Sequence, residues 1–592
     1  MKRKWWHDKI VYQVYPKSFY DADGNGIGDV RGVTEKLDYL KDLGIDIVWL
    51  SPVYQSPMAD QGYDISDYYK IDPSFGTIQD MEELIAEAKK RGIHILMDLV
   101  ANHCSDEHEW FRQACEDPTG KYGKYFYIRD KKADGSMPTN WRSYFGGSSW
   151  DELPGHPEKV YLHVFHKKQP DLNWENPEVR EEIYRNINWW MEKGLGGFRI
   201  DAIMNIKKPK VFRDYEPDRG DGLSSLVYML DDAEGIGDFL GEMKQRTFEK
   251  YDAFTVGEAM SGRQDLEAFI GENGYMSSIF DFEENSYGRS PKGWYAWKEC
   301  LPENYKRCVF KAQERIGKTG FLSNIIENHD EPRGVSRYIP AQEINETSKK
   351  ALACAYFFLR GIPFIYQGQE IGMENKVFHS ADEVDDVGTI DQYRIALNAG
   401  CTVEEALHTI TRFSRDNART PMQWTEGENS GFTVGTPWLP VNENYKIINV
   451  EKSLRDPNSV LNFYQEMIRL RKNPTYKDTL VYGEFEHRMT EIPNLMAYRR
   501  KSVRAGEVSG ITENTPEIVV MINMKTETQM VPTSEAVGKL LLNNLGELTV
   551  SGEYMTLMPW QAVVFGQIKE AVAKTYFTTQ QSIMSKKQNA SG

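Results

Sequence analysis

Short runs of apolar and β-branched residues recur between residues 10 and 370, and stretches with helical spacing lie between several of them. The runs are "IVYQVYP" from Ile10, "IDIVWLSP" from Ile45, "IHILMDLV" from Ile93, "GGFRIDAI" ending at Ile203, "FTVGEA" from Phe254, "SSIFDFE" from Ser277, "FLSNIIENHD" from Phe321 and "IPFIYQGQE" from Ile362. Each reads as a short buried strand. The polar stretches carry helix starts: Thr77 and Asp80 form a capping-box pattern before "MEELIAEAKKRG", and Asn176 with Pro177 occupies N-cap and N1 before "EVREEIYRNINWWMEKG". Helix followed by strand, repeated, means parallel pairing, and eight such units predict a closed (β/α)8 TIM barrel of the α/β class. In such a barrel the chemistry sits at the C-terminal ends of the strands.

The pattern breaks in two places. Residues 104–171, after the third strand, are rich in aromatic and turn residues ("KYGKYFYIRD", "TNWRSYFGGSSW", "YLHVFHKKQPDLNW"), and structureless loops of that length are uncommon. A small inserted B domain over the barrel mouth is expected there. A second insert spans 372–417 and ends in "RFSRDNARTPMQW". The barrel itself is expected over 1–103 and 172–476, closing with the helix "DPNSVLNFYQEMIRLRKN". Strand-like pieces then take over ("TLVYGEFEH", "LMAYRR", "EIVVMINM", "GELTVSGEYMTLMPWQAVVFG"), predicting a C-terminal antiparallel β domain, a sandwich, over 477–568. Residues 569–592 show weak patterning and read as a fraying tail.

Composition narrows the partners. A formal charge of −17 over 592 residues repels phosphate backbones and anionic headgroups, so neither nucleic acid nor a membrane is the expected partner. The 6 cysteines lack CxxC spacing and read as reduced thiols. The start "MKRKWWHDKIVYQ" has no apolar leader, and no run is long enough to span a bilayer. A cytoplasmic protein, monomeric or weakly homo-oligomeric, is expected.

The strand ends carry the candidate chemistry: Asp98, Asn102 and His103 after the third, Arg199 and Asp201 on the fourth, Glu258 on the fifth, His329 and Asp330 on the seventh. A buried carboxylate costs several kcal/mol unless paired. Arg199 and Asp201, two apart on one strand face, could simply satisfy each other. Three carboxylates from three strands at one mouth are harder to explain as structural pairs. In the inserts, Phe145, Phe165 and Gln169 could stack on or bond to a sugar-like ligand, or pack within the B domain; Arg415 could reach the mouth or pair with Asp416. "DADGNGIGD" offers oxygens from Asp21, Asp23, Asn25, the Ile27 carbonyl and Asp29 at calcium-loop alternation. It is not an EF-hand, because the twelfth position is Gly32, and a metal-free loop of Asx turns is the alternative. His103, Cys104, Asp106 and His108 superficially resemble a zinc cluster, but their spacing fits no compact site.

With these residues in view, "DLVANH", "GFRIDA", "VGEA" and "NHDEPR" resemble the four short regions of glycoside hydrolase family 13, and "QPDLNW" its fifth. "QGYDISDY" and "SRDNARTPMQW" are similar to the oligo-1,6-glucosidase and α-glucosidase branch. The resemblance implies Asp201 as nucleophile, Glu258 as general acid/base and Asp330 as the residue that holds sugar hydroxyls. Arg199 beside Asp201 favours the ionised form a nucleophile needs. The resemblance also implies Asp64, His103, Arg199, His329 and Arg415 around a terminal glucose, with Tyr63 stacked beneath it and an Asp64–Arg415 pair closing the pocket. A blind pocket means release of single glucose units from short α-gluco-oligosaccharides. Ala202 replaces the Val that follows the nucleophile in many α-1,6-specific members, and "IMN" replaces their "INF", which favours α-1,4 acceptance with breadth. A structural divalent cation, Ca2+, is implied for the Asp21 loop, and no organic cofactor. Related activities are sucrose isomerase and trehalose-6-phosphate hydrolase. Against the first, "EPRGVSRY" follows "NHD" where an Arg-rich stretch would stand; against the second, no dedicated phosphate cluster is present. A catalytically idle carbohydrate-binding relative would lack the carboxylates that this chain retains.

Overall fold

The structure is a computed structural model that describes residues 1–258, 265–281, 290 and 292–567. Eight strands close into a barrel: β1 (Val11–Val14), β2 (Ile47–Leu50), β3 (His94–Val100), β4 (Gly197–Asp201), β5 (Phe254–Glu258), β6 (Ser278–Phe280), β7 (Leu322–Asn324) and β8 (Gly361–Tyr366). Every neighbouring pair is parallel, β1 with β8 included. All eight runs read from the sequence supply a strand. Their alternation sorts side chains between two cores. Ile95, Met97, Leu99, Phe198 and Ile200 pack outward beneath the helices, whereas Leu96, Phe254 and Val256 fill the interior with Trp49 and Phe280. Gly197 opens β4 at φ 148°, and a Cβ there would lie 1.8 Å from the Phe254 carbonyl oxygen, so the β4–β5 contact requires a glycine.

The helix starts form as their sequences indicate. Thr77 and Asp80 make a reciprocal capping box on α1 (Ile78–Lys90), and the Asn176 side chain caps α2 (Pro177–Glu192). After β3, the strands Ile128–Asp130, His156–Leu162 and Trp150–Leu153 form an antiparallel sheet. This unit is not completed by the residues between β3 and α2. Leu226 and Met229, from beyond β4, share its core with Trp141, Trp150 and Val160. Trp141 Nε1 donates to the Arg213 carbonyl at 2.9 Å, and Arg142 pairs with Asp218 and Asp221. A segment from beyond β4 thus packs onto the unit expected over 104–171, and within it Ser225 caps the short helix Leu226–Asp231 that supplies both apolar residues. The buried Lys208 ties the same region to the barrel, 2.6 Å from Asp171 and 3.0 Å from Asn102 Oδ1.

At the C-terminal end, five antiparallel strands (Phe485–Arg488, Leu495–Arg500, Ile518–Asn523, Ala562–Gly566 and Lys539–Asn543) form one sheet, and Gln529–Pro532, Tyr554–Leu557 and Thr549–Ser551 a second. Leu495, Ala497, Val519 and Met521 meet Val531, Met555 and Leu557 of the smaller sheet, while Met496, Tyr498, Val520 and Ile522 join the outer core of the barrel. The tail expected from residue 569 lies outside the described residues.

Candidate active site

At the mouth, the inward positions of the same strands turn from apolar to charged. Arg199 is the hub. Its Nη1 lies 2.8 Å from Asp98 Oδ1 and 2.7 Å from Asp201 Oδ1, and its Nη2 3.0 Å from Glu258 Oε2. The pair suspected from sequence exists, but two further carboxylates share it. Burial pushes the Asp201 carboxyl well above its usual range; Arg199 pulls it down, and Glu258, Asp98 and Asp330 push it up again. Arg199 favours the ionised form of Asp201, but its guanidinium is divided among three carboxylates and burial outweighs it. Ala202, immediately after Asp201, holds a left-handed φ of 43°, rare for a residue with a side chain, and its N–H donates to Glu258 Oε2 at 3.0 Å.

Asp330 faces this hub in a different setting, from the loop after β7 rather than from the strand itself, where the sequence pattern places it with His329. Burial raises its carboxyl, but His329, Arg415 and Arg419 outweigh that and hold it well below the usual range. His329 Nε2 lies 2.9 Å from Asp330, Arg415 Nη1 2.9 Å and Arg419 Nη2 3.0 Å. Tyr63 stacks on His329 with ring centroids 5.4 Å apart, and its hydroxyl donates to Asp98 at 3.0 Å.

Arg415 reaches the mouth rather than pairing with Asp416, but its partners at the pocket's end are Asp386, Asp330 and, at 3.7 Å, Asp60. The expected Asp64–Arg415 pair is absent. Asp64 accepts from Ser56 Oγ and from the Ala59 and Asp60 N–H groups, so it braces the loop that carries Asp60. Gln169 likewise stands behind the wall. It is fully buried and binds Asp60 at 3.1 Å and His103 at 3.1 Å, linking the inserted unit to the pocket rather than facing the opening. His103 is buried too, which lowers its pKa to about 3 and keeps the imidazole neutral.

The opening is a cavity of about 530 Å³, lined by Phe145, Phe165, Ala202, Glu258, Asp330 and Arg415 among the expected residues. Tyr144, Asp386, Trp294 and Gln392 also line it and were not anticipated. Asp386 had one available signal: it precedes "VGT" as an N-cap, and its Oδ2 accepts from the Thr389 N–H while Oδ1 takes Arg415. Burial would raise it, but Arg415 and Arg419 hold it at about 2.

In the β1 loop, Asp21, Asp23 and Asp29 bring carboxylate oxygens within 4.8 Å of one another. No lysine or arginine pairs with them among the described residues. Asn25 is exposed and bonds within its own loop: its Oδ1 accepts from the Ile27 N–H at 2.8 Å and its amide donates to Asp23. His108, in the zinc-like stretch, caps the helix Glu109–Glu116 through Nδ1.

A (β/α)8 barrel that gathers carboxylates from β4, β5 and the loop after β7 around guanidinium and imidazole groups at its C-terminal mouth has the architecture of a glycoside hydrolase. A family model described as the catalytic domain of alpha-amylase matches residues 13–483. The chain belongs to that family, glycoside hydrolase family 13, and is an enzyme of the hydrolase class. It is 40% identical over 575 residues to an oligo-1,6-glucosidase of Parageobacillus thermoglucosidasius, covering 95% of this chain and 99% of that protein. It is 41% identical to a glucan 1,6-alpha-glucosidase of Streptococcus pneumoniae, with 95% and 99% covered. Among solved structures, Bacillus licheniformis trehalose-6-phosphate hydrolase superposes with a TM-score of 0.88 at 38% identity, over 96% of this chain and 100% of that one.

Proposed function

We propose that the protein is a retaining exo-α-glucosidase that removes glucose from the non-reducing end of short α-gluco-oligosaccharides, α-1,6-linked or α-1,4-linked. The observation that carries the reading is Arg199 gripping Asp201 and Glu258 with one guanidinium. Two carboxylates on one such group fit the separation of about 5 to 5.5 Å that retaining chemistry needs. In the reactive form Glu258 carries the proton to be transferred and Asp201 is ionised against Arg199. Asp201 attacks the anomeric carbon as the glycosidic C–O bond breaks, and Glu258 gives its proton to the departing oxygen. Glu258 then takes a proton from water, whose oxygen displaces Asp201 and frees glucose with its α configuration. Asp330, held ionised by two guanidiniums, would accept sugar hydroxyls and face the developing positive charge. Asp60, Asp386 and Arg415 would close the far end, which supports single-glucose release.

The names of the similar proteins favour α-1,6 bonds, whereas Ala202 offers a smaller side chain beside the scissile bond, which supports breadth. The Asp21, Asp23 and Asp29 cluster supports a bound Ca2+ there, a structural ion whose charge would relieve three neighbouring carboxylates. The 6 free cysteines support a reducing, cytoplasmic setting. The test is product-resolved turnover of isomaltose, maltose, sucrose and trehalose 6-phosphate by one preparation. Free glucose from isomaltose or maltose is expected. Isomaltulose from sucrose, or turnover confined to the phosphorylated sugar, would replace this reading with the corresponding alternative.

A further inference from the structure

The closed end around Asp330, Arg415 and Asp386 accounts for one sugar ring, and a 530 Å³ cavity has room for more. Its outer wall comes from the segment after β6 and from the second insert. There Trp297 stacks on Phe413, with centroids 4.7 Å apart at 19°, and the Arg337 guanidinium lies 5.4 Å from the Trp297 ring. Trp294 is placed differently. It meets Phe413 tilted, at 6.1 Å and 55°, its backbone N–H donates to Gln392 Oε1 at 2.9 Å, and it is half-buried in the cavity wall. The same cavity is also lined by a second aromatic pair, Tyr144 with Phe165 at 5.0 Å. Gln392, beside Trp294, and Asn205, beside Tyr144, line it too and with Arg219 offer donors and acceptors. An aromatic face bordered by hydrogen-bonding groups suits a pyranose, whose C–H face is apolar and whose rim carries hydroxyls.

We propose that Trp294 is the platform of a sugar subsite on the leaving-group side, holding the second ring beyond the scissile bond, so that trisaccharides are better substrates than disaccharides. The proposal rests on the exo-glucosidase reading and names its preferred substrate length. Binding energy from that remote ring would raise kcat/KM for the longer sugar, whereas a disaccharide cannot reach the platform. The experiment compares kcat/KM for isomaltose with isomaltotriose, and for maltose with maltotriose, in the wild type, Trp294→Ala and Trp294→Phe. The trisaccharide-to-disaccharide ratio is expected to exceed one in the wild type, to fall about tenfold in Trp294→Ala, and to recover largely in Trp294→Phe, which keeps a stacking face. Thermal melting of each variant separates lost folding from lost binding. A ratio unmoved by Trp294→Ala in a folded variant overturns the subsite while leaving the glucosidase intact. A wild type that releases glucose from neither pair overturns the underlying reading and the subsite with it.

Discussion

Two layers inside the same barrel use one geometry for opposite ends. In the lower layer Leu96, Phe254 and Val256 point inward and exclude water. Two residues further along the same strands, Asp98 and Glu258 point inward into a charged cluster, with Arg199 and Asp201 beside them from β4. The step of two, fixed by the pleat, carries each strand from packing to chemistry. The lower layer contributes stability through burial, while the upper one spends stability on close carboxylates that apolar residues would not have to offset.

If that division holds, substitutions in the two layers should separate activity from stability. The largest effect belongs to Asp201→Asn: kcat on oligosaccharides should fall on the order of 10⁴-fold or more. Its melting temperature should hold or rise, since a buried like charge is removed. Retained turnover would take Asp201 out of the reaction. Phe254→Ala, two layers down on β5, should instead cost about 3 to 5 kcal/mol in urea unfolding. Its kcat/KM at temperatures where it stays folded should match the wild type, and a large activity loss in the folded variant would dissolve the distinction between layers. The smallest effect tests charge outside the barrel. Added Ca2+ should raise the melting temperature, by about 2.7 kcal/mol of stability at a hundredfold excess over Kd, and a chelator should reverse it. Asp21→Asn should remove the response; equal stability with and without the ion would leave the loop as a set of Asx turns.

The layers were unequally legible. Strand runs announce themselves because both faces of a barrel strand are buried, so all eight stand out even where a strand is only three residues long, as in β6 and β7. Charges interrupting such runs are conspicuous for the same reason, which is how Arg199, Asp201 and Glu258 could be found. Loop residues carry no period. Asp60 and Asp64 lie four apart in one turn-rich stretch, and only the tertiary path shows that Asp64 binds its own loop while Asp60 faces Arg415. Asp386, Arg419 and Trp294 reach the mouth from segments far along the chain, and although Asp386 reads as an N-cap, nothing local places any of them at the pocket. Gln169 was noticed for its polarity, but its bonds to Asp60 and His103 show a brace behind the pocket wall.

The returning segment after β4 also sets an order of assembly. Trp141 and Trp150 lie in the inserted unit, yet their core is closed by Leu226 and Met229, and Trp141 Nε1 finds its acceptor only at Arg213. During synthesis the insert must wait, partly uncovered, until β4 and the segment beyond it have emerged, because pairing between distant residues cannot begin before both exist. The cover over the catalytic mouth is thus completed only after the strand that bears Arg199 and Asp201 has been made.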